Sequence, residues 1–273
     1  MARPIVFLSD FGLDDEFVGV CHGVIATASP DTRVIDLTHG IPPQSVRSGA
    51  LALGRSVSYL PEDAVVLAVV DPGVGSQRRP LAVATVAGAL LVGPDNGLLS
   101  LAWEQLGGAN EAVAIEAAGV VRSPRSNTFH GRDVFAPAAA ALSSGTALAS
   151  LGPALDPASL AVVRLPEPEV ADGEVRTEIL DVDRYGNLEL AADPDDLAAA
   201  GLEAARWLRT IRDGAGDDVR AARARTFSEV PPGGFGVIVD SWGRLALVVN
   251  GGSAAEALGA AVGETLRLVA GGD

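Results

Sequence analysis

The chain has 273 residues, 48% of them hydrophobic, a single cysteine at Cys21 and a net charge of −15. That is enough apolar side chain for one large or two modest domains. It allows no internal disulfide, so a reducing, cytoplasmic setting is expected, and no basic cluster stands against the acidic background to bind nucleic acid. All 20 basic residues are arginine, which excludes lysine Schiff-base chemistry and a P-loop lysine. The N-terminal apolar run Ile5–Leu8 is too short for a secretory signal, and no stretch approaches the roughly 20 residues that span a bilayer, so no membrane partner is expected.

In chain order, Pro4–Ser9 reads as a strand. Phe17, Val20, Cys21, Val24, Ile25 and Ala28 then fall on one face of a helix. Arg33–Leu37 is a second strand, Pro42-Pro43 a stop, and Ser45–Leu60 a second helix. Ala64–Val70 is almost uninterruptedly aliphatic, as a parallel strand covered on both faces should be. Leu81–Val86 and Ala89–Val92 flank Ala87-Gly88 as a hairpin. A helix follows at Leu98–Leu106, and another begins near Arg132. This alternation predicts an α/β N-terminal domain with a mainly parallel sheet over residues 1–167.

After the Pro/Glu-rich stretch Leu165–Val170 the pattern becomes mostly β. Val175–Val182, Leu188–Leu190, Trp207–Ile211, Gly236–Val239, Leu245–Val249 and Thr265–Val269 are strand candidates, and Asp240–Arg244 is a hairpin turn between two of them. Residues 168–273 are read as a second, smaller domain.

Ligands of open α/β sheets bind beyond the carboxyl ends of the strands. Two acids occupy that position: Asp10 after the first strand and Asp71 after the third, the latter in Asp71-Pro72-Gly73-Val74-Gly75. Each alone reads as readily as a turn cap; two at equivalent strand ends favour function. The glycines after Asp71 do not form a dinucleotide fingerprint, and Gly93-Pro94-Asp95-Asn96-Gly97 reads as a turn before a helix. Of the histidines, His22 is read as a packing residue and His39 as a turn residue. His130, at a helix start in Thr128-Phe129-His130-Gly131-Arg132-Asp133, is the catalytic candidate. No histidine pair has metal-ligand spacing and there is no cysteine cluster, so no metal is expected. A carboxylate cation site at Asp10, Asp14 and Asp15 competes with their plainer role at a turn and helix N-terminus. G-x-S-x-G is absent, and Cys21 sits on the helix's apolar face.

Seven strings, FLSDFGLDDEFVG, DLTHGIPPQS, VVDPGVGSQRRPL, GPDNGLLS, FHGRDVFAP, YGNLEL and DSWGRLALVVNGGSA, occur in an order that resembles the S-adenosylmethionine hydroxide adenosyltransferases. These adenosine-forming S-adenosylmethionine hydrolases are relatives of fluorinating and chlorinating enzymes that use the same substrate. The resemblance covers nearly the whole chain. It implies an α/β domain followed by a β-barrel-like domain, and a homotrimer with active sites at subunit interfaces. It also implies a small-molecule substrate, S-adenosylmethionine, with no further cofactor. The family's water-activating residues fall on Asp71, Arg78 and His130, with Arg79 adjacent in the same string. Asp10 would hold the ribose hydroxyls, Asn187 the adenine edge and Phe227 the base face. Asp15, Asp183 and Ser241 would contact the methionine end, and Tyr185 and Trp242 complete the substrate-binding set.

The implied reaction is attack of a water-derived hydroxide on the 5′ carbon. Asp71 and His130 jointly orient and deprotonate water, and which of them takes the proton is left open at this point. The rival on the same scaffold is a halogenase. Resemblance opposes it: the halide-using relatives carry an uncharged aromatic residue in place of Asp71, and the fluorinating type carries a serine in place of Gly131 and a long insertion after the third strand. The rival from another class is a non-catalytic S-adenosylmethionine- or adenosine-binding protein, which would need Asn187 and Asp10 but not the three water-activating residues.

Overall fold

The structure, a computed structural model, describes residues 2–214 and 218–272. The chain divides into two compact units, Met1–Val163 and Arg164–Asp273.

The first unit comprises β1 (Ile5–Ser9), α1 (Phe17–Ala28), β2 (Val34–Thr38), α2 (Val46–Ser56), β3 (Val65–Val69), β4 (Pro80–Thr85), β5 (Leu90–Pro94), α3 (Ser100–Gln105), β6 (Ala109–Ala114), α4 (Ala136–Ser143) and β7 (Ala154–Leu155). Its sheet has the order β2-β1-β3-β5-β4-β6-β7. The strands β2, β1, β3 and β5 are parallel. β4 runs against β5, β6 runs against β4 and so rejoins the common direction, and β7 opposes β6.

Alternation along the strands builds two apolar layers. Ile5, Phe7, Val65, Leu67 and Val69 pack with Cys21 and Ile25 of α1 and with the alanines of α4. Leu8, Val66, Ala68 and Val70 pack with Leu53 of α2 and Ala102 and Trp103 of α3. Helices therefore cover both faces, which is why β3 is aliphatic at every position and wholly buried. The chain enters at β1, crosses to β2 on one side and returns to β3 on the other. The crevice between the carboxyl ends of β1 and β3 is thus the topological switch point, where α/β sheets bind ligands.

Some elements differ from the sequence expectation. The second helix ends at Ser56 and tightens into a 3₁₀ turn, Val57–Tyr59. The helix expected near Arg132 starts as a π-helical turn, Gly131–Phe135, before α4 takes over. β6 was not anticipated. Its sequence ANEAVA is rich in alanine and exposes Asn110 and Glu111, so it carries little strand propensity.

The second unit contains β8 (Glu169–Ala171), β9 (Glu174–Val182), β10 (Leu188–Leu190), α5 (Pro194–Ala199), β11 (Trp207–Arg212), β12 (Asp218–Arg223), β13 (Phe235–Val239), β14 (Leu245–Val249), α6 (Ala254–Leu258) and β15 (Thr265–Ala270). The sheet runs β10-β14-β13-β12-β11-β15-β9, and β10 also pairs with β9. This closes a seven-stranded barrel, with β8 added outside on β9. Closure removes the sheet edges, and Val175, Leu188, Leu208, Val237, Leu247 and Leu268 fill the interior.

Candidate active site

Asp71 lies two residues beyond the end of the buried strand β3, after Val70, and the Pro72–Arg79 loop carries Arg78 back over it. Val74 N–H donates to the Asp71 carbonyl at 3.2 Å and Ser76 N–H to the Gly73 carbonyl at 3.0 Å, which curls the loop. Gly75 adopts φ +78°, and a Cβ there would lie 2.5 Å from the Asn127 carbonyl oxygen. Only glycine lets the loop approach the segment that leads to His130.

Arg78 grips Asp71 with two donors. Nε donates to Oδ1 at 2.8 Å, and Nη2 donates to Oδ2. The same Nη2 donates to His130 Nδ1 at 2.9 Å. The guanidinium also lies 5.0 Å from the centre of the Phe135 ring. The Arg78 and Asp71 side chains are 9% and 6% exposed, and His130 is buried at the N-terminus of the π-helical turn. Burial holds the His130 pKa below its ordinary 6.5, and the positive charges of Arg78 and then Arg125 act in the same direction. Two buried atoms of this cluster, Arg78 Nη1 and His130 Nε2, have no hydrogen-bond partner. Unsatisfied buried polar atoms in a native fold call for a guest with hydrogen-bonding capacity.

Arg79 is excluded from this cluster by its own ion pair. It bonds Asp95 at 2.7 Å and the Ser159 carbonyl at 2.8 Å. Of the Gly93–Gly97 string read as a turn, Gly93 and Pro94 end β5 and the bend begins at Asp95; Asn96 Nδ2 donates to the Val70 carbonyl at 2.9 Å, fixing the segment after β3.

Asp10 follows β1, and its N–H donates to the Val69 carbonyl of β3 at 3.3 Å. Both strand-end acids thus flank the switch point. Asp10 Oδ2 accepts the Gln44 N–H at 2.8 Å. Gln44 is a non-glycine residue at φ +64°, a costly conformation often kept at binding sites. Sequence reasoning missed Gln44, because nothing in Pro42-Pro43-Gln44 signals a left-handed residue. Asp14 and Asp15 are exposed on the loop that leads into α1. Asp10, Asp14 and Asp15 do not gather into a cation site. Among the described residues the group that does gather is His22, Asp36 and His39.

Phe11, Phe17 and Phe129 form an aromatic cluster with centroids 5.1–5.8 Å apart, Phe129 meeting the other two rings edge-to-face and Phe11 and Phe17 tilted at 51°. It closes over Gly131, where a Cβ would lie 3.0 Å from the Phe11 ring. Asp133, 1% exposed in its side chain, is gripped by both Arg132 Nε and Nη2 and accepts the Ser126 N–H at 2.8 Å. Cys21 is buried and its pKa is pushed up to about 12, chiefly by desolvation, so it is no nucleophile.

The remaining sequence candidates belong to the barrel unit. Asp183 accepts the Tyr185 N–H at 2.8 Å, the Asn187 N–H at 2.9 Å and Asn187 Nδ2 at 2.7 Å. Its carboxylate therefore staples the turn between β9 and β10 and orients the Asn187 side chain. Gly186, at φ +79°, packs against Ser253. Tyr185, Phe227 and Trp242 are 79%, 47% and 43% exposed. Ser241 is exposed in the β13–β14 turn, which Asp240 caps by accepting the Trp242 N–H at 2.8 Å.

The N-terminal domain profile of the SAM hydroxide adenosyltransferases matches residues 5–152, and the C-terminal domain profile of the same family matches residues 177–267. The chain is 50% identical over 270 residues to an (R)-S-adenosyl-L-methionine hydrolase of Salinispora tropica, covering 98% of each chain. It is 27% identical over 237 residues to a fluorinase of an Actinoplanes species, covering 78% of this chain and 79% of that one. The crystal structure of an uncharacterized conserved protein from Thermotoga maritima superposes with a TM-score of 0.88 at 33% identity, over 97% of this chain and 99% of that one.

Proposed function

We propose that this chain, which belongs to the SAM hydroxide adenosyltransferase family, hydrolyses S-adenosyl-L-methionine to adenosine and L-methionine. The observation that carries the proposal is the buried Asp71–Arg78–His130 cluster beside the β1/β3 switch point, with Arg78 Nη1 and His130 Nε2 left unpartnered. Of the two, His130 Nε2 is the donor assigned to the attacking water.

The reaction is a nucleophilic substitution at the 5′ carbon. The leaving group is a neutral thioether formed from a sulfonium cation, so positive charge disappears as the C–S bond breaks and no acid is required at sulfur. The difficulty lies with water, whose pKa is about 15.7 in the absence of a metal. A positioned base supplies roughly 10²–10⁴-fold, and holding the water in line with the C–S bond is worth up to about 7–11 kcal/mol. The reaction so written uses no metal or cofactor.

The hydrogen-bond directions divide the roles of Asp71 and His130. A guanidinium nitrogen only donates, so Arg78 Nη2 makes His130 Nδ1 an acceptor. With its pKa lowered the imidazole is neutral, and its one ring proton then sits on Nε2. His130 therefore donates to the water oxygen and does not take its proton. The proton goes to Asp71, whose oxygens each keep a lone pair beside the bond from Arg78. Arg78 fixes both partners and balances the carboxylate charge.

For the substrate, the Gln44 N–H aligns Asp10, and its carboxylate takes the ribose diol. Asn187 gives an Nδ2 hydrogen to Asp183, which turns its carbonyl oxygen to the adenine amino group. Asp15 and Ser241 take the methionine end, and the exposed rings of Tyr185, Phe227 and Trp242 cover the base and thioether. Apolar rings this exposed suit burial against another copy, in keeping with a cytoplasmic homotrimer whose active sites lie at subunit interfaces. The Salinispora relative's name specifies the (R) sulfonium epimer, and we extend that preference to this chain.

The charge on Asp71 sets the direction of the chemistry. A halide about 4 Å from an isolated ionised carboxylate meets roughly 4 kcal/mol of repulsion at an effective dielectric near 20; the paired Arg78 guanidinium offsets part of this, so Asp71 disfavours a halide by less than that figure. The test is incubation with each epimer of S-adenosylmethionine, with and without concentrated chloride, followed by chromatography. Adenosine and methionine in both conditions support hydrolysis. A 5′-halo-5′-deoxyadenosine product would establish a halogenase, and tight binding without turnover would establish a binding protein.

A further inference from the structure

We propose that His22, Asp36 and His39 form a binding site for a divalent transition-metal ion, separate from the reaction centre. The three residues come from α1, from β2 and from the turn after β2, so no local spacing in the sequence announces them. His22 Nε2 lies 2.8 Å and His39 Nε2 3.0 Å from the same Asp36 Oδ1, and the three candidate ligand atoms lie within 4.8 Å of one another.

The geometry accommodates a metal as well as the two hydrogen bonds. Zinc-type ions bind imidazole nitrogen and carboxylate oxygen at about 2.0–2.2 Å. Two such ligand atoms at a right angle are therefore about 2.9 Å apart, close to the two separations here. Two imidazoles and one carboxylate on one face of an ion, with the other positions left to water, make a known open coordination pattern. Nitrogen donors favour zinc, cobalt, nickel or iron over magnesium and calcium.

The surroundings also fit. His39 is buried, and its Nδ1 is 2.8 Å from Ser9 Oγ, the outer contact that orients a metal-bound histidine. A hydroxyl both donates and accepts. Without metal, Ser9 Oγ–H donates to Nδ1 and Nε2–H donates to Asp36. With metal, the proton moves to Nδ1, Ser9 accepts it, and the Nε2 lone pair turns to the ion. The tautomer shift conserves protons and needs no movement of the ring. Phe7 braces both rings, its centroid 4.7 Å from that of His39 and 6.1 Å from that of His22. The His22 and Asp36 side chains are 35% and 44% exposed, which leaves an entry path from solvent.

The experiment uses tag-free, chelator-treated full-length protein titrated with Zn²⁺ by calorimetry and with Co²⁺ by visible absorption. One ion per chain is expected, with Co²⁺ bands in the visible. His22→Gln and Asp36→Asn should each weaken binding at least about tenfold, Ser9→Ala about 10–100-fold as an orienting contact, and His130→Ala should bind as wild type. Absence of saturable one-to-one binding by the wild type would overturn the proposal. So would wild-type affinity in both His22→Gln and Asp36→Asn, or loss confined to His130→Ala. Because the wild-type titration and either partly exposed ligand variant each decide the matter, misfolding of one variant leaves the result intact.

Discussion

A single guanidinium organises the reaction centre. Arg78 donates to both Asp71 oxygens and to His130 Nδ1, so it fixes the carboxylate, the ring orientation and the tautomer together. Replacing Asp71 by Asn keeps the shape but removes the proposed proton acceptor. Steady-state kinetics should show kcat lowered by roughly 10²–10⁴-fold with KM little changed; an unaltered kcat would remove Asp71 from the mechanism. His130 must be neutral to leave Nδ1 open to Arg78. Its folded pKa is depressed, so its protonation is centred below 6.5. Activity should therefore decline on an acid limb centred below 6.5, and an acid limb centred above 6.5 would contradict the assigned tautomer. Cys21, with its thiol pKa pushed up to about 12, should resist iodoacetamide in native protein at neutral pH and react only on unfolding, as mass spectrometry would report.

At the scale of elements, the loop after β3 and the π-helical turn before α4 set the spacing between Asp71 and His130. Gly75 is the tightest point between them, because a Cβ there meets the Asn127 backbone. Gly75→Ala should lower kcat through displacement of Arg78, with circular dichroism unchanged. The Gly131–Phe135 turn depends on Asp133, which is buried under Arg132 and the Ser126 N–H. Asp133→Ala should lower stability by about 1–3 kcal/mol, because a buried donor loses its acceptor; urea denaturation measures it. The Asp133 carboxyl is held below its ordinary 3.8, first by the Arg132 hydrogen bonds against the cost of burial. Its contribution is thus present above pH 3.8 and is lost as pH falls through the lower folded value.

These elements also show what the sequence made legible. The buried strand β3 was readable because an unbroken aliphatic run suits a strand covered on both faces. Both strand-end acids were readable because each directly follows such a run, where α/β sheets place their ligands. Six barrel strands were readable from short apolar runs between turns. β6 and β12 were not, since alanines among polar residues give a strand no pattern. α5 and α6 were missed although their caps, Asp193 before Pro194 and Ser253 before Glu256, are local signals. The pairing of Arg78 with His130 spans 52 residues, and the gathering of His22, Asp36 and His39 requires the β1–α1–β2 crossover. Contacts of that kind follow from topology and not from spacing.

The whole molecule joins an α/β unit that carries the proposed water-activating groups to a barrel unit that carries the proposed adenine and thioether contacts. Exposed rings on the barrel unit are accounted for by the proposed homotrimer; light scattering should give the mass of three chains, and a stable monomer with full activity would contradict sites at subunit interfaces. The central claim is that water held by Asp71, Arg78 and His130 attacks the 5′ carbon. It is tested most directly by turnover of S-adenosyl-L-methionine in H₂¹⁸O with mass analysis of both products. The predicted result is adenosine carrying one ¹⁸O at its 5′ oxygen and unlabelled methionine; unlabelled adenosine, or no release of adenosine at all, would contradict it.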